Sequence, residues 1–237
     1  MKSLLSLFAL ALVVPVAHAQ DAKPLSASLV PLRADAPLLF APRGWKIEKR
    51  VNGDLNRDKV ADAALVLVEN KPVKDEQDIP TARSRALVVL LREGKGWRRA
   101  GFNNSFLLGT RDGGALYGAV ETPVHVSIVR GILLVEQESG SREVETTTYS
   151  FRFNRHLTPT PDLKVVLSTR VFLIGFDSNT RDRLSGDSLI QSANFLLGRR
   201  TTTIWKGGQH RSQTKVTRVS RRLCPLESIR VDERYAD

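Results

Sequence analysis

Two stretches of this chain are apolar at every position: Ala63-Ala64-Leu65-Val66-Leu67-Val68 and Ala86-Leu87-Val88-Val89-Leu90-Leu91. Runs of this length, bounded by polar residues, read as central strands covered on both faces rather than as helices. The rest of the chain repeats the theme of short β-rich segments between turn residues. Val124-His125-Val126-Ser127-Ile128 alternates, Arg130-Gly131 turns, and Ile132-Leu133-Leu134-Val135 returns. Thr147, Tyr149, Phe151 and Phe153 share one face of a further strand, with Thr146, Thr148, Ser150 and Arg152 on the other. Residues 165–167 and 171–176 follow, and residues 194–206, Gly207-Gly208 and 209–222 have the form of a hairpin with a tight glycine turn. Gly94-Lys95-Gly96, Asp112-Gly113-Gly114 and Ser139-Gly140-Ser141 mark other turns.

No window carries the i, i+3, i+4, i+7 spacing of an amphipathic helix. The short spacing between most strands favours an antiparallel meander over a parallel sheet, whose crossovers need a dozen or more residues. The expected fold class is therefore all-β: an antiparallel meander of short strands forming a sandwich, a barrel-like or an incomplete propeller-like domain. Residues 70–85, polar and charged, and residues 156–162, with Pro159 and Pro161, read as surface loops.

The amino terminus is an address. Lys2 precedes an eleven-residue run, 4–14, with Ser6 as its one polar member; Pro15 breaks it before Ala17-His18-Ala19. This is the layout of a cleavable signal peptide over residues 1–19, and the run is shorter than the ~20 residues that span a bilayer. It predicts a periplasmic or secreted protein cut after Ala19, with no cysteine following the cut to take a lipid. Pro24, Pro31, Pro37 and Pro42 forbid a helix or central strand over residues 20–43, which read as a proline-rich extended arm. Residues 44–237 are expected to form a single β-rich domain. The single cysteine, Cys224, excludes an intramolecular disulfide and any multi-cysteine metal centre.

One segment has a mechanism attached. Gly53-Asp54-Leu55-Asn56-Arg57-Asp58-Lys59-Val60-Ala61-Asp62 places Asp54, Asn56, Asp58 and Asp62 at positions 1, 3, 5 and 9 of a nine-residue loop, with the carbonyl of Val60 at position 7. A hard cation such as Ca²⁺ takes six to eight oxygens, and alternate side chains on a curled loop can converge on one point. Position 12 is Leu65, so this is not an EF-hand. The same residues also suit a plain Asx-rich turn, their oxygens accepting from backbone amides.

The run from Gly53 through Asp62 into Ala64-Leu65-Val66-Leu67 resembles the FG-GAP or VCBS type of repeat of extracellular β-propeller proteins, including integrin α-chain heads. With Gly44-Trp45-Lys46-Ile47, Gly140-Ser141-Arg142, residues 148–153 and Phe172-Leu173-Ile174-Gly175, the chain is similar to a group of small bacterial envelope proteins that carry one such segment. The specific likeness covers residues 44–69. It implies Ca²⁺ as cofactor, with Asp54, Asn56, Asp58, Asp62 and the Val60 carbonyl as ligands. The sequence departs from the pattern at Lys59, where glycine is usual. Asp177, Asn179, Asp182 and Asp187 do not repeat the spacing, and one repeat does not make a propeller of four or more blades.

The chain's formal charge of +11, which falls to +10 when Lys2 leaves, is concentrated near its end. Residues 198–222 hold Arg199, Arg200, Lys206, Arg211, Lys215, Arg218, Arg221 and Arg222 and no acid, with Trp205 as an aromatic neighbour. Such a hairpin suits an anionic envelope polymer or lipid surface, and equally a solvated face that discourages sheet-edge association. No motif for specific nucleic-acid binding is present. A hydrolase ranks lower: His125, His156 and His210 fall in no zinc signature, Ser139 and Ser141 in no nucleophile elbow, and Glu136, Glu138, Glu143 and Glu145 are pairs any β protein offers. The expected function is thus a non-catalytic exported β-rich binding or structural module with an unidentified envelope partner. Amino-terminal sequencing of the exported protein should begin at Gln20; recovery of a chain that retains residues 1–19 would refute the processing.

Overall fold

A computed structural model describes residues 24–159, 165–207, 212–221 and 223–230, with side chains omitted over 155–159 and 165–169. The expected signal peptide and its cleavage site, Arg211, His210 and Arg222 lie outside these residues. Thirteen strands are present among the described residues: β1 Arg33–Ala34, β2 Trp45–Gly53, β3 Asp62–Glu69, β4 Arg85–Glu93, β5 Gly96–Asn103, β6 Val124–Val129, β7 Ile132–Gly140, β8 Glu143–Pro159, β9 Val165–Asp182, β10 Ser188–Asn194, β11 Arg199–Trp205, β12 Ser212–Arg218 and β13 Cys224–Pro225. They form a five-stranded sheet, β1-β5-β4-β3-β2, and an eight-stranded sheet, β12-β11-β10-β9-β8-β7-β6 with β13 added on β9. Every named pair is antiparallel, and neither sheet closes into a barrel. Of the sequence alternatives, the sandwich-like architecture is the one formed.

The two all-apolar runs are β3 and β4, paired from Ala63 opposite Leu90 to Val68 opposite Arg85. Side chains alternate across a sheet, so each strand divides its apolar residues between two faces. Ala64, Val66, Leu87, Val89 and Leu91 face the larger sheet and pack with Val126, Leu133, Val135, Phe151 and Leu173. Phe106, from the loop after β5, inserts between the layers, its ring edge-on to Tyr149 at 4.8 Å. The other set, Ala63, Leu65, Leu67, Ala86, Val88 and Leu90, meets Leu25, Val30 and Phe40.

Those last three belong to the proline-rich arm. As its prolines require, residues 24–43 hold no helix longer than the 3-10 turns Ala27–Leu29 and Pro37–Phe40 and no central strand. The arm is nevertheless a structural layer: β1 pairs with β5, and Leu25, Val30 and Phe40 are buried. The compact body therefore starts before Trp45, because among the described residues this arm is what covers the outer faces of β3 and β4.

A second difference concerns residues 156–162. β8 runs on through Pro159, paired with Val165 of β9. Beyond Arg152 this is a two-stranded ribbon without β7 alongside, where a proline's missing N–H can face outward and cost no ladder bond. Of the expected surface loop 70–85, residues 70–82 are largely exposed, whereas Arg83 and Arg85 are buried and Arg85 begins β4. Truncating Phe40, which is 0% exposed, to alanine should cost about 3–5 kcal/mol in chemical denaturation; a cost under about 1 kcal/mol, the scale of a surface substitution, would show the arm is not part of the core.

Candidate functional site

The acidic turn joins β2 to β3. Asp54 curls it: Oδ1 accepts from the amides of Arg57 (2.6 Å) and Asp58 (3.1 Å), and Oδ2 from that of Lys59 (2.9 Å). Asn56 Oδ1 accepts from the Asp58 amide (3.0 Å), Asn56 Nδ2 donates to Asp58 Oδ2 (2.8 Å), and Asp58 Oδ1 accepts from the Val60 amide (2.8 Å). To bring these amides inward, Arg57 and Lys59 adopt left-handed backbone conformations, φ 64° and 70°. For residues with a β-carbon each costs ~1–2 kcal/mol, offset here by the carboxylate bonds. Lys59, a residue with a β-carbon, thus takes a conformation that glycine adopts freely.

Asp62 plays a different part. Its side chain is 0% exposed, at the first residue of β3. Oδ2 accepts from the amides of Leu55 (2.9 Å) and Asn56 (3.3 Å), and Oδ1 from that of Arg92 (2.9 Å) near the end of β4. One carboxylate clamps the turn to two strands. Burial raises its pKa above the ordinary 3.8, with the three amides opposing the rise. The structure therefore brings Asp54, Asn56 and Asp58 together at the rim and leaves Asp62 beneath them, facing the backbone. Oxygen donors of the kind Ca²⁺ takes are present in the first three and in the Val60 carbonyl. For Asp62 to join them, its carboxylate would have to exchange amides of the turn and of β4 for the ion.

The cationic segment forms the far side of the eight-stranded sheet. Residues opposite each other in an antiparallel pair share a face. Arg199 pairs with Arg218, so both lie on the outer face. Arg200 pairs with Thr217 and with Ala193, a residue of the inner core, so it lies on the inner face, as does Lys215 opposite Thr202. Lys206 is bound to Asp187 at 2.6 Å, and Arg221 Nε donates to the Leu196 carbonyl at 3.1 Å. The six described cations of the set are thus divided between two faces and local partners rather than gathered on one. Arg200 retains buried Nε and Nη2 atoms with no acceptor.

Two grooves were not anticipated from sequence. One, of about 640 Å³, lies over Arg83, Arg85, Asn104, Asp112 and Ser139. Its buried arginines are held by acids: Arg85 forms a bidentate pair with Glu48 (2.6 Å each) and donates to the carbonyls of Leu108 (3.1 Å) and Thr122 (2.8 Å), while Arg83 pairs with Glu121 and keeps a buried Nε without an acceptor. They fix the loop between β5 and β6. Two arginines flanking Ser84 directly before an apolar strand were the available clue. The second groove, about 460 Å³, lies on the outer face of the larger sheet between Glu138, Val144, Thr146, Asn179, Arg181 and Arg183. Both Glu138 oxygens are engaged, by Tyr117 Oη (2.8 Å) and Thr146 Oγ1 (2.9 Å). Burial, with that carboxylate's help, pushes the Tyr117 hydroxyl up to about 12.

Of the remaining sequence candidates, His125 is exposed on β6, and Cys224 is half-buried in β13 opposite Leu173. Among the described residues no three His, Cys, Asp or Glu side chains group as metal ligands. No family model, no curated protein and no solved structure matches the chain.

Removing the clamp with Asp62→Ala leaves three amides unpaired and should lower stability by about 3 kcal/mol in urea titration. Because the folded-state pKa is raised, folding favours protonated Asp62: its own contribution to stability grows as pH falls from that raised value toward 3.8 and shrinks above it. An NMR titration of the Asp62 carboxyl should place its midpoint above 3.8, and a midpoint below would show the amides outweigh burial.

Proposed function

We propose that this is an exported, non-catalytic β-rich binding module of the cell envelope, whose acidic turn is a structural lock and whose larger sheet meets an anionic polymer or lipid surface. The observation that carries the reading is the overhang β10–β12. From Ser188 to Leu226 the chain holds no Asp or Glu, and β12 is an exposed edge strand bearing Lys215 and Arg218. Arg199 and Arg218, opposite each other on the outer face, are a pair of like charges that an anion from outside would relieve. The support is electrostatic and geometric, in a sheet whose outer face is not covered by the smaller one.

Ca²⁺ enters as a stabiliser of the β2–β3 turn. It would be held by Asp54, Asn56, Asp58 and the Val60 carbonyl, with Asp62 as the clamp below, and would neutralise carboxylates that the turn crowds together. The exported protein should bind phosphatidylglycerol vesicles at low salt and lose most of that binding at about 1 M salt, where the screening length is ~3 Å. Salt-insensitive binding, or none to vesicles or to an acidic polymer, would refute the anion surface. In melting experiments Ca²⁺ should raise the midpoint relative to chelator and Asp54→Ala should abolish the rise; no shift in the parent protein removes the metal from the proposal.

A further inference from the structure

The groove on the outer face of the larger sheet lies in line with Trp205. Arg181 of β9 is directly opposite Ser188 of β10, and Ser188 is directly opposite Trp205 of β11. Strands lie about 4.8 Å apart, so Arg181 and Trp205 occupy one row, one face and a span of about 10 Å. The next row, two residues along, is Glu138, Thr146, Asn179, Ile190 and Thr203. One end of the row therefore carries the Arg181 guanidinium and the other an indole 40% exposed, with Ser188 between them and Asn179, Ile190 and Thr203 in the row beside.

The charges at the guanidinium end are available. Asp182 pairs with Arg142 at 3.0 Å and Asp187 with Lys206 at 2.6 Å, whereas Arg181 and Arg183 take part in no ion pair among the described residues. Glu138 is held by Tyr117 and Thr146 and is in no ion pair among the described residues. A guanidinium without a carboxylate of its own, lining a groove beside Asn179 and Thr146, offers bidentate recognition of a carboxylate or phosphate. An exposed indole on the same face offers a platform for a flat apolar ring face, and Ser and Thr hydroxyls suit a ligand rich in hydroxyls.

The geometry points to an acidic oligosaccharide as the ligand of this face, lying across β8–β11 with a sugar ring on Trp205 and an acidic group between Arg181 and Arg183. It rests on the envelope-binding reading above and sharpens it from a diffuse cationic surface to one row on one face. A single-stranded nucleic acid shares the negative charge and the stacking. It is disfavoured because successive bases stack on successive aromatics, and Trp205 is the one aromatic in these rows.

Calorimetric titration of the exported protein with a galacturonic acid hexamer, a neutral hexasaccharide and a hexathymidylate tests it. The acidic hexamer should bind. Arg181→Gln and Trp205→Ala should each weaken it about tenfold, Trp205→Phe should recover most of the loss, and Lys46→Gln, exposed on β2 of the smaller sheet, should leave binding unchanged. Trp205 is at the surface, and melting of each variant shows that the fold is intact. Failure of the hexamer to bind while anionic vesicles still do overturns this site and spares the envelope reading; failure of both removes both. Hexamer binding by Trp205→Ala and Arg181→Gln as tight as that of the parent protein, or tighter binding of the hexathymidylate than of the hexamer, also overturns it.

Discussion

Two adjacent strands whose six central residues are apolar on both faces cannot lie at a surface, and the layering follows from that demand. β3 and β4 divide their residues by alternation, and each set needs its own cover. The eight-stranded sheet supplies one layer and the arm before Trp45 the other. Burying a Val or Leu side chain is worth roughly 1.5–3 kcal/mol, so leaving the arm side open would expose six residues at a cost near the whole stability of an ordinary domain. The arm is accordingly not a linker, although its prolines deny it the regular ladder that marks a layer in sequence.

How much of this is visible beforehand depends on whether a residue's role is local. The double-sided cover of residues 63–68 and 86–91 can be read directly, because it is a property of six consecutive side chains. The alternation at 124–135 and 147–153 is local too, and these strands form where expected. The partner of Phe40 cannot be read, since its burial depends on strands twenty or more residues away. Pro159 misleads for a related reason: its cost is set by whether a neighbouring strand needs its N–H, and there none lies alongside.

The acidic turn divides in the same manner. Asp54, Asn56 and Asp58 bond within five residues of themselves, so their spacing is informative. Asp62 occupies the ninth position by count, yet its oxygen reaches Arg92, thirty residues on. Spacing makes it a ligand candidate; tertiary structure makes it a clamp. In the cationic segment the number of charges is plain from sequence, but their division between faces is set by the strand register. Glu48 and Glu121 become the partners of Arg85 and Arg83 only when the loops close, so a buried guanidinium reads in advance as a surface one.

Both ends of the described chain finish on the same strand. Arg99 of β5 donates through Nη1 to the carbonyls of Ala27 and Val30, and Asn103 Nδ2 donates to those of Leu226 and Ile229. β5 is thus completed by segments about 70 residues before it and about 125 after it. Contacts so distant in sequence form late, because loop closure must precede them. A chain emerging from its amino terminus has β3 and β4 made long before Leu226 and Ile229 exist, and Asn103 waits with its amide unpaired. Completion of the smaller sheet therefore waits on a segment more than 120 residues downstream of β5, and a chain cut before Leu226 carries a marker of its own incompleteness in the middle of that sheet.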